Sequence, residues 1–326
     1  IKYQPCFFPA WELLPYEPLS PLNEISGERL DILNHLLTGD PLILVVPLEA
    51  GLQMVMPRSV LKKLILPVNI KMSLEREFLE ACLSDNGFSS SPLVENRGEF
   101  SVRGDIVDFF QPGRIKPIRI EFFGDEVESI REFDALSQVS SNKLEAVNIL
   151  PVRELCLNEI EKKHGVEAIK NFAGKNGCDR LALEELLDKI QHLGVFSGME
   201  YLAPFFYSTR ESLFDYLHPD TLVVLEERDQ LQVKSEQFQN LIDTEYHSVI
   251  ENGDVAASSE ELYLAMDEFN NYVSKFKGCV ALNTLKTSEE EADRTLGLEV
   301  KPIPSLAGNF DTFSEQALKW QEDENR

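Results

Sequence analysis

Arg103, Arg119 and Phe123 carry the most specific chemistry in the sequence. They lie in EFSVRGDIVDFFQPGRIKPIRIEFFGDEVESIREFD, residues 99–134, on the polar side of an alternating pattern. A guanidinium presents a planar fork of donors that matches a carboxylate. An aromatic ring left outside beside arginines is the composition of a protein–protein contact centre. The chemistry these residues offer is therefore recognition, without bond making. Two plainer readings compete with it. Arg and Glu alternating on an exposed strand can be a solvated ladder, contributing about 0–1 kcal/mol per pair. Phe123 can also tuck under a loop, as paired phenylalanines often do.

Motifs for covalent chemistry are weak. No G-x-x-x-x-G-K-[ST] loop occurs to cradle a triphosphate. The GKNG at Gly174–Gly177 is too short and reads as a turn, and the GDE at Gly124–Glu126 reads as hairpin chemistry. Ser197 in GVFSGME has the spacing G-x-x-S-G, which is not that of a nucleophile elbow. His35, His164, His192, His218 and His247 show no metal-ligand spacing. Paired carboxylates are too common in this chain for any one pair to inform.

The elements that must hold the recognition residues follow from periodicity. In the first strand Phe100, Val102, Ile106 and Phe110 share the core-facing parity, and Arg103, Asp105 and Val107 the other. In the next, Ile118, Ile120 and Phe122 face inward while Arg119, Glu121 and Phe123 face outward. QPGRIKP connects them and FGDE turns the chain back, so pairing would put Arg103, Arg119 and Phe123 on one face.

Before this β-rich stretch the spacing is helical. Leu30, Leu33, Leu36 and Leu37 predict a helix that Gly39 ends. PLILVVPLEA, residues 41–50, predicts a strand covered on both faces. Residues 73–87 predict a second helix, with Ser73 as N-cap, Leu74, Phe78 and Cys82 on one face, and Gly87 at its end. After Pro151 helices return, one over Leu183–Gly194. Ser258 and Glu261 form a capping box, and Leu262, Met266, Phe269, Val273 and Phe276 predict one helix closed by Gly278. TLVVLEE and GCVALNTL read as buried strands of a parallel sheet. The segment EQALKWQEDENR reads as helix and then a charged linker.

The chain has 326 residues, enough for two or three domains, and 43% of them are hydrophobic. Its net charge is −25. Residues 1–64 carry 5 basic and 7 acidic side chains, 65–150 carry 9 and 15, and 151–326 carry 17 and 34. The last part is a poor surface for phosphates. Only Arg97–Arg119, with 5 basic against 3 acidic residues, reverses the balance. Cys6, Cys82, Cys156, Cys178 and Cys279 are scattered, which predicts reduced thiols in a cytoplasmic protein. No apolar run is long enough to span a bilayer. Because Ile1 opens directly into an apolar segment, the first domain is expected to be incomplete at its start.

GEFSVRGDIVDFFQPG and IRIEFFGDEVESIREFD resemble the sheet domain shared by the nucleotide-excision-repair protein UvrB and the transcription-repair coupling factor Mfd. FFPAWELLPYEPLSPLNEISGERLDIL, especially Trp11–Pro15, and SGMEYLAPFFYSTRESLFDYL resemble Mfd in particular. The resemblance covers nearly the whole chain. It implies an α/β fold, a degenerate helicase-like (UvrB-like) parallel-sheet domain split by an inserted small antiparallel β-rich domain. The parts would be 1–64, 65–150 for the insertion, and 151–326. It also implies a non-catalytic bacterial module that recruits the repair protein UvrA, through Arg103, Arg119 and Phe123, with Arg131 on the same sheet. Truncating any of the first three is expected to cost roughly 1–3 kcal/mol of binding with little effect on folding. No cofactor is implied for these residues. ATP and Mg would serve the motor of the intact protein, whose other domains would take RNA polymerase and double-stranded DNA. The aromatic-rich hairpin with which UvrB probes DNA is not evident in these residues, only Tyr16 standing in LLPYEPLSP, and Ser89–Ser91 replace a more basic approach to the sheet. The alternative is a UvrB-type nucleotide-dependent repair subunit whose P-loop lies outside these residues.

Overall fold

In a computed structural model of the chain, residues 4–284 are described, with 296, 297 and 314 besides. The chain divides into two compact units, Ile1–Leu282 and Asn283–Arg326. The first holds every element described below, and the helix and linker expected over EQALKWQEDENR lie outside the described residues.

The leucine spacing before Gly39 becomes α1, Asn23–Thr38, with Leu30 and Leu33 buried. Gly39 adopts φ 77°, the left-handed cap that a side chain would oppose. Two three-residue strands flank this helix, β1 (Pro5–Phe7) and β2 (Ile43–Val45), and they pair in parallel. The expected strand covered on both faces is thus corrected. Phe7, Ile43 and Val45 are exposed, and the apolar run turns helical again at Leu48–Leu52.

The β-rich stretch builds its own sheet. Its strands are β4 (Ser89–Ser90), β5 (Glu99–Arg103), β6 (Ile106–Phe109), β7 (Ile118–Phe123), β8 (Glu126–Phe133) and β9 (Ser140–Leu144). They lie in the order β9-β8-β7-β6-β5-β4, antiparallel except for the short β4–β5 pair. Its ends are drawn together by β3 (Leu66–Asn69) and β10 (Ala146–Ile149), antiparallel from Leu66↔Ile149 to Asn69↔Ala146. Phe100, Val107, Phe109, Ile118, Ile120, Phe122 and Ile130 fill one face of this sheet. Against them packs α2, Arg76–Asp85. Here the expected N-cap and face are corrected. Ser73 precedes the helix and bridges to Glu126, while Leu79 and Leu83 are buried and Phe78 is exposed.

Residues before Leu64 and after Leu155 share another core, which includes Phe8, Trp11, Leu30, Leu61, Ile169, Tyr201 and Phe206. At its centre Arg29 is wholly buried and paired with Glu154, Nε to Oε1 at 2.6 Å and Nη2 to Oε2 at 3.1 Å. The Trp11 indole donates to the same carboxylate at 2.8 Å. Beyond it come α3 (Glu159–Asn176) and α4 (Arg180–Leu193). GKNG is the last turn of α3, with Gly177 as its left-handed cap, so the expected turn is the end of a helix.

The final parallel pair is β11 (Leu222–Glu226) with β12 (Gly278–Leu282), joined through α5 (Arg228–Glu251) and α6 (Met266–Ser274). Leu225 is buried, but Leu222, Val224, Val280 and Leu282 are exposed, so these strands are covered on one side and not buried as expected. The single helix expected after Ser258 is two. Its capping box caps one turn, Ser259–Leu262, and α6 starts again at Met266. Between them Tyr263 bridges to Gln53, and the Leu264 N–H donates to the Leu52 carbonyl at 2.7 Å. Backbone pairing with a distant segment overrides the helical spacing there.

The sheet insertion meets α1 through two glycines. A Cβ on Gly27 would sit 2.4 Å from the Gly113 amide nitrogen and 2.5 Å from the Pro112 Cβ. Alanine favours a helix over glycine by about 1 kcal/mol, yet a backbone clash of this size costs more. Gly27→Ala is therefore expected to destabilise the protein by about 1–3 kcal/mol. A lowered urea midpoint at unchanged slope is the check, and an unchanged or raised midpoint would contradict the contact.

Candidate partner-docking face

The face of the six-stranded sheet opposite its core is set by two tight turns. Gly104 and Gly124 take φ 60°, each followed by Asp, and each joins strands that pair directly across the turn, Arg103↔Ile106 and Phe123↔Glu126. The first turn corrects the expected parity. Residues 100–110 are two strands, so alternation restarts at Ile106, and Val107 and Phe109 are buried in the core. Ile106 moves to the arginine face, half-buried, and Asp108 moves there with it. Phe110 leaves the sheet core for a small cluster with Val94 and Phe133.

Ser101, Asp108, Arg119 and Arg131 form one row across β5–β8, and Arg103, Ile106, Glu121 and Ser129 form the next. A bulge between Glu121 and Phe122 in the β7–β8 pairing precedes the last pair, Phe123↔Glu126. Phe122 points into the core and Phe123 out of it, 80% exposed. Arg103, Arg119, Phe123 and Arg131 thus share one face, and the ring is not tucked under a loop.

They do not share one environment. Asp108 has no exposed surface, and its carboxylate receives Arg103 Nη2 at 2.6 Å, Arg119 Nε at 2.7 Å and Arg119 Nη2 at 2.9 Å. The Arg119 side chain is only 13% exposed, lies over the Phe133 ring at 4.6 Å, and donates to the Gln138 carbonyl at 3.3 Å. Its hydrogen bonds to Asp108 raise its pKa further above the ordinary arginine value. Arg103, with 44% of its side chain exposed, is much more open to solvent. Arg131 stands opposite Arg119 in register and leans the other way, Nη2 reaching Glu121 at 3.5 Å. Its buried Nε has no hydrogen-bond partner among the described residues. The solvated-ladder reading fails at Arg119, which is a buried ion pair.

The segment Ser73–Arg76 fixes the turn end of the face. Arg76 donates to the Gly104 carbonyl at 2.6 Å, and the Leu74 N–H donates to the Asp125 carbonyl at 2.7 Å. The Phe122 N–H donates to the Asp105 carbonyl at 2.8 Å, tying one turn to the other. Phe123 is therefore a bare ring on a rigid mount, as an interface anchor requires. The place of Asp108 and Ile106 on this face, and this brace, were not legible in the sequence. The Gly104–Asp105 pair was the signal for the first two.

Other candidates are placed elsewhere. Ser197 Oγ accepts from the Ser20 N–H at 3.1 Å and belongs to the contact between two loops. Tyr16 packs on Tyr201 and Tyr246, and its hydroxyl donates to the Ala257 carbonyl. His164 faces the Phe205 carbonyl. Among the described residues no group of three or more His, Cys, Asp or Glu is placed to hold a metal, and no helix is long and apolar enough to cross a membrane.

Residues 66–155 match the family model of the UvrB interaction domain. That span holds the six-stranded sheet, its closing β3–β10 pair and the whole arginine face. The chain is 31% identical over 273 residues, 83% of its length, to the transcription-repair-coupling factor of Haemophilus influenzae. It is 38% identical over 211 residues, 64% of its length, to that of Myxococcus xanthus, and 29% identical over 303 residues, 91% of its length, to that of Escherichia coli. Over most of its length the chain is thus similar to part of the transcription-repair-coupling factors, and it carries the UvrB interaction domain. It spans only 23%, 18% and 25% of the length of these three relatives. Within the coupling-factor family the arginine face therefore lies on the UvrB interaction domain, and the loops around Trp11 and Tyr201 lie outside it.

The buried pairing corrects the expectation that truncating Arg119 has little effect on folding. Arg119→Ala removes two of the three donors on a buried carboxylate and is expected to destabilise by about 3–5 kcal/mol. Arg103→Ala is expected to cost about 1 kcal/mol or less, because solvent reaches its site. Chemical denaturation of the two variants side by side is the check, and equal stability would contradict the assignment of Arg119 as the internal partner.

Proposed function

We propose that this chain is the non-catalytic recruiting region of a transcription-repair coupling factor and that the arginine face docks the repair protein UvrA. The observation that carries the reading is Phe123, 80% exposed on a braced hairpin beside Arg103 and inside the matched UvrB interaction domain. A rigid exposed aromatic loses little conformational entropy on binding and fills a pocket efficiently. Arg103 and Arg131, one and two rows away on the same face, add donors for carboxylates of the partner. Residues 65–150 would be the docking domain, inserted between the α/β parts 1–64 and 151–326. The parallel pairs β1–β2 and β11–β12, with helices between their strands, support a helicase-like descent for those parts. ATP, Mg, RNA polymerase and double-stranded DNA would be engaged by other regions of the full-length coupling factor in the bacterial cytoplasm.

Calorimetric titration of the chain with purified UvrA tests the reading. The parent is expected to bind, and Phe123→Ala of confirmed fold to lose about 1–3 kcal/mol of affinity. Parent and variant binding equally tightly, or neither binding, would contradict it.

A further inference from the structure

We infer that Asp108 is the positioning residue of the docking face, a buried carboxylate that holds the Arg103 guanidinium in the pose from which it meets the partner. This rests on the docking reading above. Two of the three hydrogen bonds on Asp108 come from Arg119, and they would suffice to compensate its charge. The third comes from Arg103, at the end of the adjoining strand and in the next row of the face. That bond uses one nitrogen, Nη2. The remaining donors of Arg103 make no other hydrogen bond among the described residues, and 44% of the side chain is exposed.

A free arginine side chain must be ordered when it binds, and that entropy weakens the complex. A charge-assisted bond to a buried, immobile carboxylate pays this cost during folding. Arg119 belongs to the same device from below. It is stacked on Phe133, bonded to the Gln138 carbonyl, and closed over Asp108. Arg119 thus fixes Asp108, Asp108 fixes Arg103, and Arg103 touches the partner. The partner chemistry follows. It is a protein surface with carboxylate facing Arg103 and Arg131 and an apolar recess for Phe123, and its own acids need not reach Arg119.

Asp108→Asn keeps the side-chain volume and removes the charge. UvrA is titrated against the parent, Asp108→Asn, Arg103→Ala and the double variant, each checked for fold. Arg103→Ala is expected to weaken binding about tenfold in the parent and less than about threefold in the Asp108→Asn background, where the guanidinium is already released. An equal loss in both backgrounds, or a folded Asp108→Asn that binds like the parent, overturns the proposal. A merely structural role for Asp108 predicts that equal loss. A second arm needs neither variant nor partner. In guanidinium ¹⁵N spectra of the parent alone, Arg103 is expected to show slowed rotation about its Nε–Cζ bond. Free rotation there overturns the proposal even if UvrA binds. Slowed rotation with no UvrA binding overturns the docking reading instead.

Discussion

A carboxylate without solvent cannot stand alone inside a sheet, and Asp108 is such a carboxylate. Its needs dictate the face around it. One neighbouring strand supplies Arg119 directly opposite, and the other supplies Arg103 one row further on. The β5–β6–β7 register is therefore fixed by charge on one side and by Phe100, Val107, Phe109 and Ile120 on the other. A slip of one residue would expose the apolar set and strand the acid together. The same pairing explains how an acidic protein keeps arginines on a sheet without a diffuse basic patch. One arginine is neutralised internally, one is held half-free, and Arg131 faces Glu121. What remains for a partner is a small set of directional donors beside one bare ring.

A second buried ion pair does similar work for the frame. Arg29 and Glu154 lie on either side of the inserted sheet in sequence, and their bidentate contact, with Trp11 as a third partner, brings its two flanks together. The antiparallel β3–β10 pair does so again at the backbone level. The insertion therefore leaves and rejoins the α/β core through adjacent strands. Its contact with α1 at Gly27 and Gly113 is too close for any side chain. These constraints hold the six-stranded sheet against the α/β core, so the arginine face is presented by a supported domain.

Much of this was legible in the sequence because it is local. The leucine spacing and Gly39 mark α1, and the 120s alternation marks β7 and β8 and puts Phe122 inside and Phe123 outside. What was not legible depends on distant partners or on a turn that interrupts a pattern. The alternation of residues 100–110 runs on through the Gly104–Asp105 hairpin, whereas the equivalent Gly124–Asp125 turn stands out between its strands. That one turn reversed the faces of Val107 and Ile106 and concealed Asp108. The helix expected after Ser258 broke because Tyr263 and Leu264 pair with residues near Gln53, a contact that spacing cannot reveal. The strands at Ile43–Val45 and Leu222–Glu226 look alike in sequence to doubly covered strands. Only the three-dimensional arrangement shows one side of each exposed.

The account's central claim is that a partner lands on the braced end of the arginine face. Hydrogen exchange of the chain with and without UvrA tests it most directly, because it reads the whole surface at once. The account predicts that UvrA slows exchange in the hairpins around Gly104 and Gly124 and along β7–β8, with the exposed strands Leu222–Glu226 and Gly278–Leu282 unchanged. Protection confined to those two strands, or to the loops around Trp11 and Tyr201, would contradict it.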